Sequence, residues 1–175
     1  MKKSIAALFL VTSLSAFAAT APKSIAVLPI SLKGSEGFWI HINPGKVQDV
    51  FVTELRQRTK LNVIDGSAVR KLVDKSDIPL SEKLNKTQAV RVGKLLGVNY
   101  LLTGSVTEYG AEKGMGKVVL NARLIDTSTG EVVWADEVKV SVGGFGGGVD
   151  DNRLFDKALK PCVQKAVSAA KAKLR

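Results

Sequence analysis

Three consecutive stretches with the hydrophobic patterns of β-strands dominate the second half of the chain. Residues 98–107 begin with a nearly continuous apolar run, which is typical of a strand covered on both faces. Residues 117–126 and 131–142 instead alternate apolar and polar side chains, as half-buried strands do. The short polar loop between them ends in Gly130 and predicts a hairpin. Together these patterns predict an antiparallel meander of three strands.

Helices and short strands are predicted around this meander. Apolar runs at residues 25–30 and 61–64 predict two further strands, and residues 31–41 predict a loop. Helical periodicity and capping residues predict helices that start at Asn43-Pro44, at Ser67, at Thr87 and at Asp150 or Asp151, the third ending at Gly97. The order is β-α-β-α-α-β-β-β-α, which predicts a single-domain α/β sandwich with helices packed on a mixed sheet.

The first 18 residues have the three parts of a secretory signal peptide. Lys2 and Lys3 precede an apolar run, and Ala16-Phe17-Ala18 forms a small-residue cleavage site. The run is shorter than the roughly 20 residues that span a bilayer, so residues 1–18 are predicted to be cleaved. Residues 19–175 are then expected to form one exported domain without a membrane span. No cysteine lies near the cleavage site, so no lipid modification is expected.

The chain is basic, with a formal net charge of +10. An exported protein of this charge meets anionic envelope material before it meets nucleic acid, so nucleic acid is not an expected partner. Lysines scattered over exposed helix faces would give the same net charge without any dedicated partner, because surface charge also keeps a protein soluble. Charge by itself therefore leaves the partner open.

No recognisable catalytic set is present in the sequence. A hydrolytic site needs a nucleophile, a base and oxyanion donors together, whereas His41 is the only histidine and Cys162 the only cysteine. Cys162 falls on the apolar stripe of the last helix, where a thiol acts as a small hydrophobic group. We therefore expect no enzymatic activity, no cofactor and no metal site.

Four residues are candidates for function. Phe38, Trp39 and Phe145 fall in predicted loops and are candidate contacts for a protein partner, although packing onto the domain itself explains them equally well. Asp136 interrupts the apolar face of the last strand. It is a candidate buried polar site, where a structural ion pair is favoured over catalysis.

Three segments resemble a known family. The sequences SIAVLP at 24–29, LGVNYLLTGSV at 96–106 and RLIDTSTGEVVW at 123–134 resemble the periplasmic domain of the curli secretion channel (CsgG) family. They are also similar to the N-terminal domain of TolB and to activators of penicillin-binding proteins. The resemblance implies a non-enzymatic domain that assembles with other envelope proteins.

One departure from the curli channel limits this resemblance. The channel inserts membrane-spanning hairpins at positions that correspond to residues 108–116 and 143–149 of this chain. Both segments are too short for two spanning strands of about 9 to 11 residues each. No pore of that kind is therefore expected.

The leading hypothesis is a non-enzymatic, exported interaction domain that acts in cell-envelope or surface-structure assembly. Its expected partner is an envelope or secreted protein, or a second copy of the chain. One alternative is a regulator that activates a cell-wall synthase. The other is a periplasmic binder of a small ligand or glycan beside Asp136.

Overall fold

The computed structural model describes residues 22–33, 43–76, 84–112, 115–143 and 151–174. These residues form one mixed sheet of six strands. The strands are β1 (Ser24–Val27), β2 (Ser31–Leu32), β3 (Asn62–Val63), β4 (Tyr100–Glu112), β5 (Met115–Asp126) and β6 (Val132–Gly143). The helices are α1 (Pro44–Arg58), α2 (Gly66–Asp74), α3 (Lys86–Leu96) and α4 (Asp151–Lys171). The predicted α/β sandwich and its element order are confirmed, with β2 added.

The long strand β4 organises the sheet, whose order is β3-β1-β4-β5-β6. β4, β5 and β6 are antiparallel, which confirms the predicted meander, and β1 runs parallel to both β3 and β4. β2 pairs with the middle of β4, where Ser31 lies opposite Ser105. The prediction of a loop over residues 31–41 is therefore wrong at its first two residues, because a two-residue strand carries no readable periodicity.

Helices cover the sheet unequally on its two faces. α1 and α4 pack on one face, over a core that includes Phe51, Leu102 and Leu120. On the opposite face α2 and α3 cover only the region around β1 and the start of β4, where Ala26 and Leu101 are buried. The start of β4 is therefore buried on both faces, as its apolar run predicts.

Local capping explains most helix ends. Asn43 accepts a hydrogen bond from the Gly45 backbone N–H at 2.8 Å and so caps α1, as predicted. Gly97 adopts φ 64°, the left-handed conformation expected at the end of α3. The predicted cap of α2 is wrong, because Asp65 rather than Ser67 accepts the capping hydrogen bond.

The β5–β6 hairpin is confirmed, with Gly130 at φ 71°, but the pairing beyond it is irregular. Leu124 lies opposite Trp134 and Ile125 lies opposite Val132, so Val133 is an extra residue in β6. Such a bulge bends a strand. Val132, although it belongs to the apolar positions of the alternating pattern, is 50% exposed.

A buried carboxylate, that of Glu54, links α1 to α4. It is 1% exposed and accepts hydrogen bonds from Arg58 Nε at 2.7 Å and Gln164 Nε2 at 3.1 Å. Burial raises the pKa of Glu54, but these hydrogen bonds and the charges of Arg58 and Lys160 outweigh that effect. The pKa is held below its usual value, so this carboxylate is ionised and stabilising at neutral pH.

We expect acid to remove the stabilisation that Glu54 provides. Its pKa is lower in the folded than in the unfolded chain, so the stabilisation is complete above the ordinary value of about 4.3. It is lost as the pH falls through the folded pKa. Urea unfolding as a function of pH should show a shallower acid slope for Glu54→Gln than for the wild type.

The matched control for this prediction is Glu131→Gln. Glu131 is 60% exposed and pairs with Lys86, which is 70% exposed, and such surface pairs contribute little. The acid slope of this variant should match that of the wild type. Equal slopes in the wild type and Glu54→Gln would contradict the assignment.

Candidate functional site

A cleft of about 420 Å³ lies on the face of β4, β5 and β6 that faces away from α1 and α4. We call it the outer cleft. Its lining residues are mostly polar and are Lys33, Gly104, Ser105, Thr107, Asn121, Ala122, Arg123, Ala135 and Asp136. The sheet register explains the part of this set that shares the outer face, because Ser105 lies opposite Asn121 and Ala135 lies opposite Arg123. Gly104, Ala122 and Asp136 pair with one another in the alternate register. Alternate residues of adjacent strands share a face.

Arg123 lies half-buried in this cleft. Within the described ranges no side chain or carbonyl hydrogen-bonds to its guanidinium or forms an ion pair with it. Nearby, Asn121 Nδ2 donates to Thr107 Oγ1 at 3.3 Å. A partly desolvated guanidinium without a counter-ion is suited to bind a carboxylate in bidentate geometry.

Asp136 reaches the rim of the outer cleft but is exposed, so its expected burial is wrong. The path of α4 gives the reason. Leu154 packs at Gly116, and the Cys162 thiol lies 3.3 Å from the Val138 carbonyl oxygen, whereas Lys171 lies near Asn99 beside β1. The helix thus crosses the sheet diagonally and leaves the Asp136 part of the edge strand uncovered.

The aromatic candidates Phe38, Trp39 and Phe145 lie outside the described residues and stay predictions. Lys33, which lines the outer cleft, immediately precedes the segment 34–42 that contains two of them. The sequence therefore connects this predicted contact loop to the cleft.

Chemical catalysis finds no support in the described residues. Burial raises the pKa of the Cys162 thiol to about 11, so this side chain is a hydrophobic core residue, as predicted. The described residues include no group of three or more His, Cys, Asp or Glu that could hold a metal. No helix in the described ranges is both long and apolar enough to cross a membrane.

Sequence reasoning placed Arg123 on the polar face of its strand but missed it as a site residue. One signal was available in the sequence. Arg123 is a basic side chain on β5, and the residues that face this part of β5 across the hairpin, Ala135 and Glu137, include only one acid. That signal does not distinguish a paired arginine from an unpaired one, since pairing depends on side-chain positions.

The sequence also identifies the family. Residues 25–140 match the model of the family described as peptidoglycan-synthase activator LpoB. The chain belongs to this family. The match begins in β1 and ends within β6, so it includes every residue that lines the outer cleft. Among curated proteins, no match was found.

Solved structures share the fold at low sequence identity. The hypothetical protein CT253 from Chlamydia trachomatis has a TM-score of 0.61 and 13% identity, over 88% of this chain and 98% of its own. The PelC dodecamer from Paraburkholderia phytofirmans has a TM-score of 0.54 and 15% identity, over 84% of this chain and 87% of its own. LpoB from E. coli has a TM-score of 0.50 and 16% identity, over 70% of this chain and 58% of its own. These similarities concern the fold alone, so self-assembly of this chain remains a prediction.

Membership of the LpoB family decides between the earlier hypotheses at a coarse level. The similarity to activators of penicillin-binding proteins is confirmed, whereas the resemblance to the curli channel receives no support. Family membership supports a non-enzymatic role in the cell envelope, and the expectation that the protein is not an enzyme is confirmed. The expected absence of a lipid anchor is not supported by the family.

Proposed function

We propose that the protein is a periplasmic activator that docks on a peptidoglycan synthase and shifts the synthase toward its active state. The family match over residues 25–140 carries this proposal. The predicted leader 1–18 supports it, because cleavage of that leader delivers the domain to the compartment where cell wall is made. No described feature favours a role in surface-structure assembly over this one.

The outer cleft is the docking surface in this proposal. It is not covered by a helix among the described residues, and Arg123 in it lacks a counter-ion. The segment with Phe38 and Trp39 follows Lys33 at the cleft. Arginine and tryptophan are enriched among the residues that dominate interface energies, so we assign an acidic side chain of the synthase to the Arg123 position.

The direct test measures glycan-strand polymerisation by a synthase from the same organism, with and without the purified protein. We expect the rate to rise with protein concentration and to saturate. No rise at concentrations far above that of the synthase, with a synthase that is itself active, would overturn the proposal.

Arg123→Gln should raise the protein concentration needed for half-maximal activation by about 10- to 100-fold. A hydrogen bond to a charged group contributes about 1.5–3 kcal/mol, and each 1.4 kcal/mol is about tenfold in affinity. Maximal activation at saturation should be retained, since the substitution removes a contact rather than the fold.

Arg91→Gln is the matched control for Arg123→Gln. Arg91 is exposed on α3, outside the outer cleft, and the substitution changes the net charge by the same amount. Its activation curve should coincide with that of the wild type. A wild-type curve for Arg123→Gln would exclude the cleft as the docking surface and leave activation itself untouched.

A further inference from the structure

A second groove, of about 970 Å³, lies where α1 and α4 end and β1 begins. We call it the basic groove. It shares no lining residue with the outer cleft. Among the described residues, four cationic side chains and no carboxylate line it: Lys23, Arg58, Lys60 and Lys171.

The positive charge of the basic groove is only partly compensated. Glu54 pairs with Arg58, and the Asp126 carboxylate interacts electrostatically with Lys23. The carboxyl end of each of the two helices contributes about half a negative charge. Lys60 and Lys171, by contrast, are exposed, and no carboxylate of the described residues forms an ion pair with either. The groove therefore remains positive at neutral pH.

Fixed donors add to this charge. Lys23 Nζ lies 5.5 Å from the centre of the Tyr100 ring and donates to its hydroxyl at 3.3 Å, which keeps the charge in place. Asn99 Oδ1 accepts from Ser24 N at 2.8 Å and from Ser24 Oγ at 3.2 Å. The amide Nδ2 of Asn99 is thus left as a donor. These donors and cations make the groove suited to an anion.

Apolar side chains next to the cations specify the kind of anion. Leu61 and Leu174 are partly buried, pack against the main core and also line the groove. A free phosphate ion fills a small part of this volume and makes no use of apolar walls. Lysines beside an apolar surface instead match the boundary between lipid headgroups and acyl chains.

We propose that the basic groove binds the phosphate-bearing headgroup of anionic phospholipids and holds the domain at a membrane surface. Charge complementarity and the apolar walls carry this assignment. The chain also enters the described structure here, since Pro22 lines the groove. The outer cleft remains free for a protein partner, so this inference does not depend on the proposed activation.

The test is co-sedimentation of the purified protein with vesicles of phosphatidylglycerol and phosphatidylcholine, compared with vesicles of phosphatidylcholine alone. The double variant Lys60→Gln/Lys171→Gln should bind the anionic vesicles about 30-fold more weakly than the wild type, since each lysine near such a surface adds about fivefold in affinity. Phosphatidylcholine vesicles should not sediment the protein.

The matched control is Lys71→Gln/Lys94→Gln. These lysines lie in the last turns of α2 and α3, outside the groove, so the net charge changes equally. Vesicle binding by this control should be unchanged. An equal loss in both double variants would overturn the proposal, because general charge would then explain binding. Displacement by inorganic phosphate at concentrations that leave ionic strength unchanged would also overturn it in favour of a free-phosphate site.

Discussion

Leu55→Ala should lower the free energy of unfolding by about 2–5 kcal/mol, the usual cost of removing a large buried aliphatic side chain. Leu55 is fully buried in α1, in the core cluster between the sheet and α4. Its removal loses transfer free energy and leaves a cavity that the packed sheet cannot close. Chemical denaturation should show a lower midpoint with an unchanged slope.

The same substitution at Leu95 serves as the control. Leu95 also lies in a helix, α3, but is 46% exposed. Leu95→Ala should change the free energy of unfolding by no more than about 0.5 kcal/mol, because alanine is the better helix former and little burial is lost. Equal losses at the two positions would contradict the assigned faces of α1 and α3.

The sequence allowed the prediction of features that depend on local rules. Strand alternation over residues 117–126 predicted which side of β5 is buried, because a strand has a period of two. Gly97 and Gly130 were identified as turn positions because glycine adopts positive φ readily, which other residues rarely do. Both glycines have positive φ in the structure. These features are decided within a few residues of sequence.

Features that depend on the path of distant elements were missed. β2 forms only because the long strand β4 extends beside Ser31 and Leu32, and no pattern in the two residues indicates this. Asp136 is exposed because α4, some fifteen or more residues further along the chain, crosses the sheet diagonally. Burial along an edge strand depends on what packs against it, which hydrophobic periodicity does not report.

The candidate sites illustrate the same division. Strand alternation places Arg123 on the polar face of β5. That no described residue serves as its counter-ion is known only once the neighbouring side chains are placed. The basic groove is even harder to predict from the sequence. Lys23, Lys60 and Lys171 are distant in sequence and line one groove only because α1 and α4 end where β1 begins. Aromatic loop residues, in contrast, were easy to select from sequence and remain untested.

Gly104→Ala should destabilise the protein by about 3 kcal/mol, the upper part of the range for overpacking. A Cβ at position 104 would collide with the Asn121 carbonyl oxygen and lie 3.1 Å from the Ala122 Cα. Both obstructing atoms belong to the β5 backbone, which cannot rotate away as a flexible side chain does. β4 and β5 would have to separate in the middle of the sheet. Thermal and urea unfolding measure this cost.

Gly143→Ala is the matched control, because Gly143 also lies in a strand but has no atom within 4 Å of an added Cβ. Alanine there should be neutral or stabilise by up to about 1 kcal/mol, since it restricts the unfolded chain. Gly104 also lines the outer cleft, and Ala122 opposite it precedes Arg123. Gly104→Ala should therefore weaken activation of the synthase even at temperatures where it remains folded, and Gly143→Ala should not. Wild-type stability of Gly104→Ala would contradict the close approach of β4 and β5.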